Sequence, residues 1–397
     1  MRAEHIIELS KVTVGVSKAT HFIIVPLWAL YLGYTIKQIG IILSAHILSY
    51  ALFIPAMTYF SGMFSRKFGS GMSLLFAHVL EALAYFLIAT GDYSLLVFGS
   101  AIGGIAEHMI YPSVVKVLGR APVLGKTKTE IFVRSYLFEY LSEGALIALF
   151  GTLTLIEAQR FAYLQIMFTV AVFCFLSGII AFFYMGKHER TVPMGSRSWS
   201  VKFSSHERTM TMAFVFYNVS VALGVGMTVP YMPYLLKEHF RLELHHIAYV
   251  FTLVYVLHAV VVYEIVHHAR RRGVLSMIVF LEAITASLFV LMGFFSGSAY
   301  LFITLYVLRS SLYMFITPLS ATYKARVFKR EVHDKAAAII RGAWALSNGI
   351  GRLIGAYALL GNVSLVFIGA GILGLLGIVG FLIFLMEVPG VLHMRHY

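Results

Sequence analysis

Two glutamates four residues apart, Glu139 and Glu143, sit in an apolar stretch with Tyr136 and Tyr140 beside them. At that spacing they share one face of a helix. Two carboxylates in a low dielectric repel each other, an arrangement suited to loading and releasing a proton near neutral pH. Arg341, Asn348 and Arg352 make a second pattern, with spacings of seven and eleven from the first. About 100° per residue puts all three on one helical stripe. Two arginines on a stripe suit an anionic group or an acid of another helix; the alternative is a ladder of salt bridges and hydrogen bonds. Glu107 follows Gly103-Gly104, and Arg309 stands alone in an apolar run. Lys18, His21 and Trp28 lie near the start of the chain, His21 and Trp28 seven apart and so on one face.

These residues need elements that carry charge through apolar surroundings. Hydrophobic residues make up 59% of 397, charged residues 12%, and mean hydropathy is +0.84. A soluble globular chain carries roughly 25% charge. Twelve apolar runs, from about 12–34 to about 364–386, are each long enough for a bilayer-spanning helix, which predicts an all-α polytopic membrane protein. Inside these runs fall the acids Glu81, Glu107, Glu139, Glu143, Glu264 and Glu282, and the bases Lys18, Lys116, Arg134, Arg309, Arg341 and Arg352. Left unpaired, twelve such charges would cost on the order of 30 kcal/mol, so pairing or a wet cavity is required. Glu81, Glu282 and Arg134 are read as supporting membrane charges, and Glu107, Glu139, Glu143, Arg309, Arg341, Asn348, Arg352, His21 and Lys18 as binding or coupling residues. Lys116 and Glu264, like Arg134, lie near helix ends where they can reach the interface.

The chain also repeats itself. Val25-Pro26 leads to Arg66-Lys67-Phe68-Gly69, and Val229-Pro230 leads to Arg270-Arg271-Arg272-Gly273 at the same Pro-to-Gly spacing. Leu80-Glu81-Ala82 recurs as Leu281-Glu282-Ala283, and the Arg134 to Gly144 spacing recurs as Arg341 to Gly351. Duplicated membrane halves of this kind hold substrates where they meet. The expected division is 1–186, a polar linker over 187–208, and 209–397. Sorting Lys and Arg by alternate loops puts twenty-one on one side, Arg2 and Lys11 among them, and four on the other. The positive-inside rule then places both termini in the cytoplasm of a cell-membrane protein. The net charge of +13 is thereby a matter of topology and not of nucleic-acid binding.

Twelve helices in two related halves with a central linker resemble the major facilitator superfamily. That family carries a loop G-x-x-x-D-[RK]-x-G-[RK]-[RK] after its second helix. Here it reads Gly62-Met63-Phe64-Ser65-Arg66-Lys67-Phe68-Gly69-Ser70-Gly71, with Arg66 at the acidic position. The second copy ends at Arg270, Arg271, Arg272 and Gly273. The resemblance implies two pseudo-symmetric six-helix bundles. It also implies a gating loop at these residues and a central site built by the first, fourth, fifth, seventh, tenth and eleventh helices.

The expectation is a secondary transporter of a small organic solute, working by alternating access as a monomer in the lipid bilayer. Proton coupling is favoured by the glutamates and histidines, and an organic anion or efflux substrate by the arginine stripe. The rival is a non-transporting sensor or scaffold on a transporter fold. An enzyme is not expected, because no Walker loop, His-Glu-x-x-His, nucleophile elbow or paired-Cys site is present. The single Cys174 rules out an internal disulfide. No cofactor is implied, and His245-His246 and His267-His268 are read as helix-end residues, not a metal site.

Overall fold

The computed structural model of the chain describes residues 3–120, 128–185 and 202–386. Twelve helical segments follow one another, with no strand among the described residues. α1 runs through Ala3–Ala19, a π turn at Thr20–Ile24, and Val25–Tyr31. The run Ile36–Ala89 breaks at Gly69 into α2 (36–68) and α3 (70–89). Then come α4 (Tyr93–Arg120), α5 (Lys128–Ile156) and α6 (Gln159–Met185). α7 spans Ser205–Thr228 and continues through a 3-10 turn to a π turn at Leu235–His239. α8 (Leu244–Arg272), α9 (Val274–Phe294), α10 (Ala299–Val327), α11 (Arg330–Gly361) and α12 (Val363–Met386) complete the set.

Ten of these helices are long and apolar enough to cross a membrane, and Ile36–Leu52 adds a shorter apolar helix. α11 does not qualify by hydropathy because its polar stripe, with Arg341, Asn348 and Arg352, dilutes its apolar face. Lipid-facing helices must be apolar where a soluble protein would be polar. α6 obeys this with Phe161, Phe168, Phe175 and Phe183, spaced by two turns and all exposed.

Starts and breaks follow local chemistry. Thr35 caps α2 reciprocally with Gln38, and Ser204 caps α7 with Glu207, satisfying backbone N–H groups that the first turn leaves bare. Gly69 (φ 85) and Gly273 (φ 78) open α3 and α9 with left-handed backbone, which a side chain would oppose. The sequence repeat thus marks the same conformational event twice. Gly62 and the side chains of Arg66, Lys67, Lys116, Glu264 and 270–272 lie outside the described residues, and with them most of the expected gating loop.

Contacts divide the chain into two compact units. The first is Met1–Pro193 with Pro230–Tyr263, and the second is Met194–Val229 with Glu264–Tyr397. This grouping differs from a cut at residue 209. The outer end of α7 and most of α8 pack with the first unit, where α8 lies close on α5. A Cβ added at Gly151 would stand 2.7 Å from that of Ala248, and one at Gly144 would stand 3.4 Å from that of Tyr255.

Candidate functional site

The first unit gathers buried charge around α1 and α5. Lys11, Gly15 and Lys18 are spaced by four and three, so they share one face of α1. Gly15 has no side chain, and a Cβ there would strike the Glu139 carbonyl and Ser142. α1 therefore comes down onto α5 at Glu139, with a lysine on either side of the contact. Lys11 Nζ donates to Glu139 Oε2 at 2.6 Å and Lys18 Nζ to Oε1 at 2.7 Å. Ser142 Oγ reaches the Val12 carbonyl at 3.2 Å and holds the two helices at that height. Lys11 also lies 4.1 Å from the centre of the Tyr136 ring.

The network continues into α4 and α2. Lys18 Nζ is 3.8 Å from Glu107 Oε1, and Glu107 Oε2 is 3.1 Å from His46 Nε2. The other ring nitrogen of His46 faces the Ser100 carbonyl at 3.2 Å, and the ring stacks on His21 at 3.7 Å. Gly104 lets α4 approach the His46 carbonyl closely. Glu143 is buried one turn beyond Glu139 on α5, and Tyr140 meets His258 of α8 edge to face at 5.4 Å. The chain of contacts from Lys11 through Glu139, Lys18 and Glu107 to His46 joins four helices, and charged hydrogen bonds of this kind are the strong ones.

Of the predicted residues, Glu107, Glu139, Glu143, Lys18 and His21 come together here. Lys11 and His46 were missed, Lys11 because it was counted among loop charges when it is 5% exposed inside α1. His21 and Trp28 do not share a face, because the π turn at Thr20–Ile24 adds a residue to the turn between them. Trp28 instead donates to the Ile88 carbonyl at 3.1 Å and packs on Tyr163. Arg134 pairs with Glu8 at 2.9 Å and is half exposed. Glu81 is buried on α3 with Oε2 3.0 Å from His78 Nδ1, a pair within one helix that supports the bundle.

The second unit holds its charges differently. Glu282 accepts from Tyr217 Oη and, at 3.4 Å, from Thr285 Oγ1. Arg309 is 3% exposed, with its guanidinium 4.2 Å from the Phe289 ring and 4.6 Å from the Tyr313 ring. Its Nε has no hydrogen-bond partner among the described residues. A small, partly open pocket lies between Arg309, Glu282 and Thr285 and the apolar side chains of Val221, Val225 and Phe289. On α11, Arg352 Nε donates to Asn348 Oδ1 at 2.9 Å, and Asn348 Nδ2 donates to the Ala222 carbonyl of α7 at 3.3 Å. Arg341 sits nearer the start of α11, partly buried, where its charge acts on Lys324. Arg352 and Asn348 thus act as a pair.

Comparison with known proteins bears on this geometry. The pattern of the Major Facilitator Superfamily matches residues 214–393. No curated protein matches the sequence. Among solved structures, a bacterial homologue of the iron transporter ferroportin in its outward-facing state matches with a TM-score of 0.71 at 14% identity, over 97% of this chain and 100% of that one. The human organic anion transporter MFSD10 (TETRAN) matches with a TM-score of 0.68 at 15% identity, over 96% and 99%. At these identities the likeness is one of fold.

Proposed function

The chain has the major facilitator fold along its length and that superfamily's sequence pattern over residues 214–393, and on that premise we propose that it is a secondary transporter of a small organic solute. One observation carries the reading. Two lysines share the single carboxylate of Glu139 in the interior of an apolar bundle. Buried charge of this kind is expensive, and in membrane proteins it marks transport or relay sites. The reading also rests on Glu107, Glu143 and His46 lying in the same cluster, where carboxyl and imidazole groups can exchange protons. Coupling to a proton gradient follows, with alternating access as the working cycle.

An organic anion is the favoured cargo. A carboxylate or sulfate on the solute can take up hydrogen bonds from Lys11 and Lys18 when Glu139 is protonated, so that solute and proton compete for one pair of cations. One of the two structural neighbours is named an organic anion transporter, in line with this choice; the other is a homologue of an iron transporter.

The test uses proteoliposomes with a trapped pH dye, challenged in turn with carboxylates, sugars, nucleosides, cationic drugs and ferrous iron. The expected result is proton flux with the carboxylate pool, lost in Glu139→Gln. Flux that survives Glu139→Gln with unchanged pH dependence would refute the mechanism. Silence from every pool, with binding still seen as a thermal shift, favours the sensor reading.

A further inference from the structure

Apart from the buried cluster, one group of side chains among the described residues has the composition of a metal site. Where α7 gives way to α8, Glu243, His245 and His246 each offer one ligand atom, all within 4.8 Å of one another. The chain turns sharply just before them at Arg241, which has φ 57 and is the one non-glycine residue with positive φ among the described residues. His245 Nδ1 lies 3.3 Å from Glu243 Oε2. The His245 and His246 rings face each other at 4.0 Å, and Tyr249, one turn on, meets His245 edge to face.

The three differ in freedom. The His245 side chain is 19% exposed and that of Glu243 72%, while His246 is exposed. His245 is also fixed from below, because the first turn of α8 rests on Gly151 of α5, whose added Cβ would stand 3.7 Å from the His245 carbonyl. One imidazole is anchored, and a carboxylate and a second imidazole can swing toward it.

We propose that Glu243, His245 and His246 bind a divalent transition metal of the zinc, nickel or copper class. Two imidazoles and one carboxylate suit these borderline ions, whereas magnesium and calcium take oxygen ligands. Bond lengths of about 2.0–2.2 Å in a tetrahedron bring ligand atoms to roughly 3.5 Å from one another. The observed spread closes by side-chain rotation alone. Three protein ligands leave the fourth position to water or to a group from outside. Because Glu243 precedes α8 and both histidines lie in its first turn, the ion fastens the start of α8 just after the turn at Arg241. The site stands independently of the transport reading and sets a state of this turn that metal supply controls.

The experiment uses the full chain in detergent micelles, titrated with Zn2+ by calorimetry and loaded with Cu2+ for electron paramagnetic resonance. The parent should bind one Zn2+ that neither Mg2+ nor Ca2+ displaces, and its Cu2+ spectrum should carry splitting from two imidazole nitrogens. His246→Ala should weaken Zn2+ at least tenfold and remove one nitrogen from the spectrum, with the metal-free melting temperature unchanged. Glu243→Gln, also at an exposed position, should weaken Zn2+ and keep both nitrogens. The chain has sixteen histidines, so the difference between parent and variant is the readout. Equal Zn2+ stoichiometry and affinity in parent and His246→Ala would overturn the proposal, as would displacement of Zn2+ by equimolar Ca2+.

Discussion

In the first unit, buried charges hold one another. Glu139 takes both Lys11 and Lys18, and Glu107 takes His46 and lies near Lys18. In the second unit, the closest contacts of the buried charges are to neutral groups: Arg309 lies against two aromatic rings, Arg352 against the Asn348 amide, and Glu282 against the Tyr217 and Thr285 hydroxyls. The charges of Arg309 and Glu282 also act on each other across the pocket they line. Both schemes meet the same cost of desolvation, but they fail differently. Removing one member of a mutual network leaves a bare charge behind, whereas removing a charge that rests on rings leaves only rings. The charges of the first unit are therefore tied to one another by direct ion pairs, and those of the second are held mainly by neutral neighbours.

The largest effect should come from Glu139→Gln, which removes the carboxylate shared by buried Lys11 and half-buried Lys18. A loss of about 3–5 kcal/mol in stability is expected, read as a lowered melting temperature. If the double variant Glu139→Gln with Lys11→Met recovers much of that loss, the charges are indeed mutual; an additive result would break the comparison.

Next is Lys324, beyond the apolar span Ala299–Ala321 of α10. Burial, helped by the charge of Arg341, pushes its amine down to about 8. Between that value and the ordinary lysine range the unfolded chain binds the proton that the folded one has lost. Stability therefore rises with pH above about 8, by on the order of 3 kcal/mol in total. Lys324→Met should flatten this rise in a series of melting curves and stabilise the chain near neutral pH; a rise that persists would remove Lys324 as its source.

Asn348→Ala takes away the acceptor of Arg352 and a donor to the Ala222 carbonyl, and should cost about 2 kcal/mol in chemical denaturation. The smallest change belongs to Arg309→Met. Phe289 and Tyr313 keep their packing and Glu282 its hydroxyl partners. The attraction Glu282 loses is offset by the buried charge that Met does not carry, so stability should shift by less than about 1 kcal/mol. A stability loss as large as that of Glu139→Gln would show that Arg309 is part of a mutual network after all. Loss of solute flux in a variant this stable would assign Arg309 to transport.

Much of the fold was legible in the chain because each helix announces itself by a long apolar run and each half repeats the Val-Pro to Gly spacing. Gly69 and Gly273 show how literal that signal was, since both turn out left-handed. The acids of the site were legible too, since glutamate inside an apolar run has few innocent explanations. Their partners were less so. Lys11 stands at the edge of its run and reads as a loop charge, although the Lys11, Gly15 and Lys18 spacing held the signal that all three face one neighbour. His46 gave no pattern, since a single imidazole in an apolar helix has no period. The allegiance of Pro230–Tyr263 to the first unit depends on how closely α8 can approach α5, which is set by tertiary packing at Gly144 and Gly151 and by no local motif.

The π turn at Thr20–Ile24 makes the length of α1 adjustable. A widened turn holds one residue more than the regular helix needs, so α1 can lose a residue there without losing a turn. Such a deletion would return the turn to regular α-helix and leave its two flanks facing as they do, with Lys11 and Lys18 still on the face that meets Glu139. α7 has its own π turn at Leu235–His239, after its Val-Pro pair, whereas that of α1 comes before it. A helix can in this way gain or lose a residue without turning one of its ends against the other.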